Sequence, residues 1–408
     1  MQNKIYKRIV TDEIVKYIED DNIIVLHGAR QVGKTHILYY LDQFLKKQGK
    51  DTYYIDLEDR RYTQILNAGV DQFINLLREE GKKTVQNGIG KSIFVLIDEI
   101  QYLDDPSSFL KLTVDHHKEI KLIVSGSSTF EIKSKFKDTL AGRTVNFEIF
   151  GLSFDEVLTF KDYYFDKQQA PTVKKLGELI GLFKEYALYG GYPKVVLTRE
   201  VEKKEKYLQQ IIDTYVRKDV RDLANVKDIA KFNKLLETLA AQSGNLLNIT
   251  ELANTCQISK QTIENYLFIL ENTYIIKLVR PFHRNIRSEL FKTPKVYFYD
   301  SGLMQLLWLK NFQKEIIGNV FETAIFSELI KKHSKEAVYY WRTMDKKEID
   351  FILNSKNQLF PIEAKLNFER FNPTAINYFN NEYQPSDYKV TGLFGESKNK
   401  HYTYPWML

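Results

Sequence analysis

A chain of 408 residues, 43% of them hydrophobic and with a mean hydropathy of −0.37, is long enough for two to four domains and reads as a soluble globular protein. Its one cysteine, Cys256, excludes an internal disulfide and a cysteine-rich zinc site, and its seven histidines include no H-E-x-x-H pattern. The net charge of +6 permits nucleic-acid binding without demonstrating it.

No apolar run approaches the length needed to cross a bilayer, so no membrane association is expected. The opening MQNKIYKRIV has no apolar signal core, which makes the cytoplasm the expected address. Residues 1–155 alternate strands and helices, as a doubly wound parallel sheet of the α/β class requires. Its first strand, Ile23–His27, runs into GARQVGKT at 28–35, and the helical pattern HILYYLDQFLKK follows. Strand, glycine loop and helix N-terminus together make a phosphate cradle. Gly28 and Gly33 let the loop backbone turn inward, with Arg30, Gln31 and Val32 between them. Lys34 reaches the β- and γ-phosphates and the Thr35 hydroxyl can ligate Mg²⁺, so this segment binds ATP or GTP.

DTYYIDLED (51–59) supplies the second strand and IFVLIDE the third, which ends in Asp98 and Glu99. Two acids closing a buried strand are costly unless they meet a cation or a reacting water. In a phosphate-loop enzyme the first holds the Mg²⁺ shell and the second polarises the attacking water, so hydrolysis is expected. The fourth strand, in KLIVSGSSTF, ends in small hydroxyl residues; Ser127 is the choice for placing that water, with Ser125 the alternate. A Ser-Gly-Ser cluster serves as readily as a turn. Arg143, in TLAGRTVNF, could stabilise phosphoryl-transfer charge in cis or from a neighbouring protomer, or lie idle in a loop. VNFEIF (145–150) supplies the fifth strand.

SFDEVLTF and LGELIGLFKEYALYGGYPKVV predict helices around a polar, proline-containing stretch, read as a lid behind the nucleotide within 156–225. A charged helix then runs from Glu200 to about Asn225, carrying Arg217, Lys218 and Arg221 beside Asp213, Asp219 and Asp222, the pattern of a solvated face. The order GARQVGKT, LIDEIQ, SGSS, LAGR, SFDEVL and LYGGYP resembles a prokaryotic AAA-like ATPase family across nearly the whole chain. That resemblance implies ATP as the nucleotide and kinship with origin-recognition and signal-transduction ATPases.

Residues 226–300 predict a winged helix-turn-helix. In NITELANTCQISKQTIENYLFILEN, residues Leu252, Ala253, Ile258, Ile263, Tyr266 and Leu267 have core spacing, and Thr250 and Ser259 are expected N-caps. Lys260, Gln261, Thr262 and Asn265 would face outward, where base edges could be read, while Arg280, His283, Arg284 and Arg287 would make a phosphate patch. DNA is the expected partner, although such modules also serve packing or oligomerisation, so a homo-oligomer or a partner protein stays open.

Residues 301–408 hold a second constellation. GNVFETAIFSELIKKH predicts a helix bearing Glu322, YYWRTMDKKEIDFIL a strand bearing Asp350, and QLFPIEAKL a strand with Glu363 and Lys365 on one face. This arrangement resembles the PD-(D/E)XK phosphodiesterase fold of restriction and repair nucleases. The resemblance implies that Asp350 and Glu363 hold Mg²⁺ or Mn²⁺, that Glu322 completes or orients the metal shell, and that Lys365 positions water and stabilises the phosphate. Two functions therefore compete: an ATP-gated nuclease, and an ATPase switch whose nuclease-like fold only recognises DNA or a partner.

Overall fold

The structure is a computed structural model that describes residues 5–82, 93–126, 140–220, 226–283, 293–355, 358–396 and 399–408, with the backbone alone at 217–219. The chain divides into two compact units, Met1–Phe150 and Gly151–Leu408.

The first unit is a five-stranded parallel sheet: β1 (Ile23–Gly28), β2 (Asp51–Asp56), β3 (Ile93–Asp98), β4 (Ile120–Gly126) and β5 (Thr144–Ile149), in the spatial order β2-β3-β4-β1-β5. Strands β1, β3 and β4 are buried throughout because both faces are covered, which is why they read as unbroken apolar runs. Successive residues point to opposite faces. Ile23, Val25, Val95, Ile97, Leu122 and Val124 share a core with α3 (Arg60–Asn67), α4 (Val70–Glu79) and α5 (Pro106–His116). Helix α2 (Lys34–Lys47) lies along β1 to β4 and buries its own stripe of Ile37, Leu38, Leu41 and Leu45, spaced at i, i+1, i+4 and i+8. The short α1 (Val10–Val15) precedes β1, and Lys121, buried at the start of β4, donates to the carbonyls of Tyr17, Asp20 and Asn22. All five strands fall where the alternation predicts them.

The second unit opens with helices α6 (Phe154–Phe160), α7 (Val173–Tyr189), α8 (Pro193–Leu197) and α9 (Val201–Ile211), the last continuing as a π-helical segment, Ile212–Val220. Ser153 and Glu156 form a reciprocal capping box that starts α6. These are the helices read from sequence as a lid; the structure places them in the second unit, where α7 packs on α13 (Ser301–Leu309) and α14 (Gly318–Lys332). The LYGGYP turn explains part of that packing. Gly190 has a φ of 79°, and a side chain there would strike the Asp300 carboxylate, which accepts from the Gly191 and Leu303 amides at 2.7 and 2.9 Å and so ties the turn to the start of α13.

Between them lie α10 (Ile229–Ala241), α11 (Ile249–Cys256), α12 (Lys260–Asn272) and an antiparallel pair, β6 (Ile276–Val279) with β7 (Lys295–Phe298). Ser259 caps α12 as expected, whereas Asn248, not Thr250, caps α11: its side chain accepts from the Glu251 amide, leaving Thr250 inside the first turn. The C-terminal sheet has the order β12-β11-β10-β9-β8, made of β8 (Val338–Arg342), β9 (Glu348–Ser355), β10 (Gln358–Ala364), β11 (Lys389–Thr391) and β12 (Tyr402–Thr403). Its β8, β9 and β10 are antiparallel and β10, β11 and β12 parallel, with α15 (Thr374–Tyr383) crossing over between β10 and β11.

Candidate functional sites

The nucleotide loop leaves β1 at Gly28, whose backbone crosses so close to β5 that a Cβ would strike the Ile149 carbonyl. Gly33, with φ of 99°, caps α2 in the left-handed region, and Gln31 has φ of 63°. These conformations turn the loop over the N-terminus of α2, where free amides and the helix dipole favour an anion. Lys34 is buried, and its Nζ donates to the carbonyls of Gly28 at 3.1 Å and Ala29 at 2.7 Å. Burial brings its pKa down to about 8, against the pull of Glu99 and Asp98. Val32 is buried in the loop, Arg30 and Thr35 are half-buried, and Thr35 stands in the first turn of α2.

Asp98 ends β3, next to β4. It is buried, accepts from the Tyr54 hydroxyl at 3.1 Å and from Ser125, and the Glu99 amide reaches Ser125 Oγ at 3.3 Å. Burial first, and then Asp98, pushes the Tyr54 phenol well above its ordinary value, so it remains a donor. Glu99 sits at φ of 56°, its carboxylate accepting from Gln101. The structure thus brings Lys34, Asp98, Glu99 and Ser125 into one neighbourhood at the carboxyl ends of the strands, where ligands of open α/β sheets bind. Ser127 lies outside the described residues.

Arg143 goes elsewhere. Its carbonyl accepts from the Ile23 amide at the start of β1, so it stands at the amino ends of the strands, opposite the phosphate loop, with its guanidinium on Asp115 at 2.9 Å. That placement removes the role in cis, because the length of β1 separates Arg143 from Gly28. Arg8, which the sequence reading passed over, is bound to the loop instead. It is buried and donates to the carbonyls of Val32 at 2.8 Å and Phe150 at 2.9 Å, clamping the loop to the end of β5.

In the second unit, Asp350 on β9 and Glu363 on β10 converge on Lys365, whose Nζ lies 2.7 Å from Asp350 Oδ2 and 2.6 Å from Glu363 Oε2. Asp350 also accepts from the Ala364 amide at 2.9 Å. Burial works against charge on Asp350, but Lys365 and Lys295 hold its carboxyl below its ordinary value. Glu363 is pushed well above the usual range by burial and then by Asp350. Lys365, although burial opposes its charge, is held above its ordinary value by the two carboxylates. Two buried carboxylates aimed at one point are a donor set that fits a hard divalent ion, since such an ion would relieve the repulsion between them.

Glu322, on α14, is engaged by side chains of β7. It accepts from the Tyr297 hydroxyl at 2.5 Å and stands 3.7 Å from Lys295, both on β7. Burial and Asp350 push it up to about 7. Among the described residues, no three acids, histidines or cysteines converge as a ready metal-binding group. Lys295, Tyr297 and Glu348 escaped the sequence reading; the one available signal was a lysine opening the apolar run VYFY.

On α12, Lys260, Gln261 and Asn265 are exposed and Thr262 is half-buried against Ser259, with Phe268 exposed one turn beyond Asn265. Of the expected core, Leu252, Ala253, Ile263, Tyr266 and Leu267 are buried and Ile258 half-buried. Arg280 is exposed and His283 half-buried, while Arg284 and Arg287 lie outside the described residues, as do Arg221 and Asp222. Among the described residues no helix is long and apolar enough to cross a membrane.

Residues 20–158 match a family model described as an AAA domain, and residues 180–315 and 317–402 match two further models, each described as a domain of unknown function. An uncharacterised protein of Haemophilus influenzae is 27% identical over 361 residues, covering 86% of this chain and 84% of that protein. An uncharacterised protein of Methanocaldococcus jannaschii is 26% identical over 362 residues, covering 86% and 76%. The AMPPCP-bound DnaA structure from Aquifex aeolicus aligns with 64% of this chain and 87% of its own at 19% identity, with a TM-score of 0.29, too loose a superposition to carry an argument. The family match and the phosphate loop together support an AAA-like, ATP-binding domain in the first unit.

Proposed function

We propose that this chain hydrolyses ATP and acts on DNA, and that its second unit cleaves phosphodiesters with the help of a divalent metal. The observation that carries the proposal is the convergence of Asp350, Glu363 and Lys365 at adjoining ends of two antiparallel strands.

In the first unit, Lys34 exchanges the carbonyls of Gly28 and Ala29 for phosphate oxygens when ATP enters. Thr35 and Asp98 would hold Mg²⁺, which supplies charge neutralisation at the phosphates. Glu99 accepts a hydrogen bond from the attacking water, and Ser125 fixes the Asp98 carboxylate. Arg143, facing away from its own phosphate loop, is free of the site in cis and could serve only a neighbouring protomer of a homo-oligomer.

In the second unit, Asp350 and Glu363 would hold Mg²⁺ or Mn²⁺, with the Ala364 carbonyl able to assist; the ion supplies Lewis acidity. Lys365 lies on both carboxylates and turns its ammonium to the scissile phosphate as charge builds there. The Ala364 amide keeps Asp350 in place. The module from α10 to β7 reads as a winged helix-turn-helix, and the exposed Lys260, Gln261, Asn265 and Arg280 suit contact with DNA. DNA contact would bring the phosphodiester to the second unit, and ATP turnover would gate its cleavage.

A second reading rests on the same ion cluster. Lys365 already neutralises both carboxylates, which is also how a non-cutting recognition module would be stabilised. A plasmid-nicking assay with Mg²⁺ or Mn²⁺, with and without ATP, separates the two. Nicking by the wild type that is absent in Lys365→Ala supports the nuclease. No cleavage of double- or single-stranded DNA by the wild type overturns it in favour of a DNA- or partner-binding ATPase switch.

A further inference from the structure

Lys295 is the buried cation that the proposed mechanism leaves unused. It opens β7, its side chain is only 3% exposed, and its Nζ lies 2.6 Å from Glu348 Oε1 and 3.7 Å from Glu322 Oε1. Two residues along the same face of β7, Tyr297 donates its hydroxyl to Glu322 at 2.5 Å. Arg342 covers the other Glu348 oxygen at 2.5 Å. Glu322 and Glu348 are therefore served by donors from β7 and β8, whereas Glu363 shares the Lys365 ammonium with Asp350, which the Ala364 amide also holds.

The two lysines differ in their freedom to leave. Lys365 is 30% exposed and can swing toward solvent as an ion or a phosphate arrives. Lys295 is enclosed by the Tyr340 ring, 5.6 Å away, and by its two carboxylates, while its backbone is held between Val279 and Leu246. A two-metal phosphodiesterase needs a second ion about 3.5–4 Å from the first, bridged or flanked by further carboxylates. Glu322 and Glu348 are acids electrostatically linked to the Asp350 neighbourhood that could flank such an ion, and a buried lysine already sits on them.

We propose that Lys295 takes the place of a second divalent cation, so that the C-terminal site binds one metal ion, on Asp350 and Glu363, with Glu322 outside its shell. The inference rests on the metal-dependent reading of that site. It also makes the site composite, because the residue that sets its metal count comes from β7, ahead of the acid-bearing α14.

The test is the Mn²⁺ stoichiometry of the nucleotide-free full-length chain, read by electron paramagnetic resonance. The wild type is expected to bind one ion that Asp350→Asn removes. Glu322→Gln, a near-isosteric change, is expected to keep that ion, with a loss of affinity no larger than the roughly 10–100-fold of an outer-sphere change. Lys295→Met is expected to admit a second ion and with it the spin-coupled spectrum of a manganese pair. Two ions in the wild type overturn the inference and leave the metal reading standing. So does a loss of affinity of more than about a hundredfold in Glu322→Gln, beyond what an outer-sphere group costs, or one ion or none in a folded Lys295→Met. An absence of any Asp350-dependent ion in the wild type overturns the metal reading, and the inference falls with it. Should Lys295→Met fail to fold, the wild-type count and Glu322→Gln decide between these outcomes.

Discussion

Lys34, buried and with a pKa of about 8, donates to two carbonyls of its own loop. Its charged form is the one phosphates select, and that form dominates below pH 8. ATP affinity is therefore expected to be level up to about pH 8 and to fall above it, by up to about tenfold per pH unit. Titrating a non-hydrolysable analogue between pH 7 and 9.5 checks this; a flat profile would show that Lys34 stays fully charged. Lys34→Ala is expected to abolish turnover, and undiminished hydrolysis would overturn the assignment of the loop. Arg8→Ala leaves the Val32 and Phe150 carbonyls without their buried donor. Losing a charged hydrogen-bond donor of this kind costs about 1.5–3 kcal/mol. The variant should unfold at lower temperature and bind the analogue more weakly. At this scale the phosphate loop was legible because its eight residues act through their own backbone. Arg8 was not: its partners lie 24 and 142 residues away, and a single arginine beside Tyr6 and Lys7 carries no spacing signal.

Among elements, two glycine turns bear the closest approaches. Gly28→Ala would drive a methyl group into the Ile149 carbonyl at φ of 157°, and Gly190→Ala would do the same to Asp300 at φ of 79°. Each should destabilise its own unit by about 1–3 kcal/mol, since backbone and a buried carboxylate cannot yield as a flexible side chain would. Thermal unfolding of the two variants would show it, and wild-type melting of Gly190→Ala would refute the tie between the LYGGYP turn and α13. The motif was visible in the sequence, but its partner was not. Strand positions were legible from apolar runs ending in acids or small residues, and the starts of α6 and α12 from Ser-x-x-Glu and Ser-Lys-Gln-Thr. The cap of α11 was misplaced by two residues because Asn248 and Thr250 are both good caps, and only the backbone conformation at Asn248 chooses between them.

At the level of the whole molecule, an ATP-driven mechanism requires that the two units communicate. If they do, Lys34→Ala should reduce plasmid nicking together with ATP turnover, whereas Lys365→Ala should abolish nicking and leave turnover nearly intact. Nicking that is equal with and without ATP, and unchanged in Lys34→Ala, would uncouple the two activities.

The sequence by itself determined the elements whose information is local. These are the parallel sheet with its phosphate loop, the acids at the end of β3, the helix pair before β6, and the same-face pair Glu363 and Lys365, which strand periodicity sets. Only the tertiary structure decided which distant groups meet. It turned Arg143 away from the phosphate loop and onto Asp115, brought Arg8 to Val32, and set Glu322 on Lys295 and Tyr297. The physical reason is that a buried charge must find its compensating partner wherever the packing of elements places one, and sequence spacing does not encode that choice.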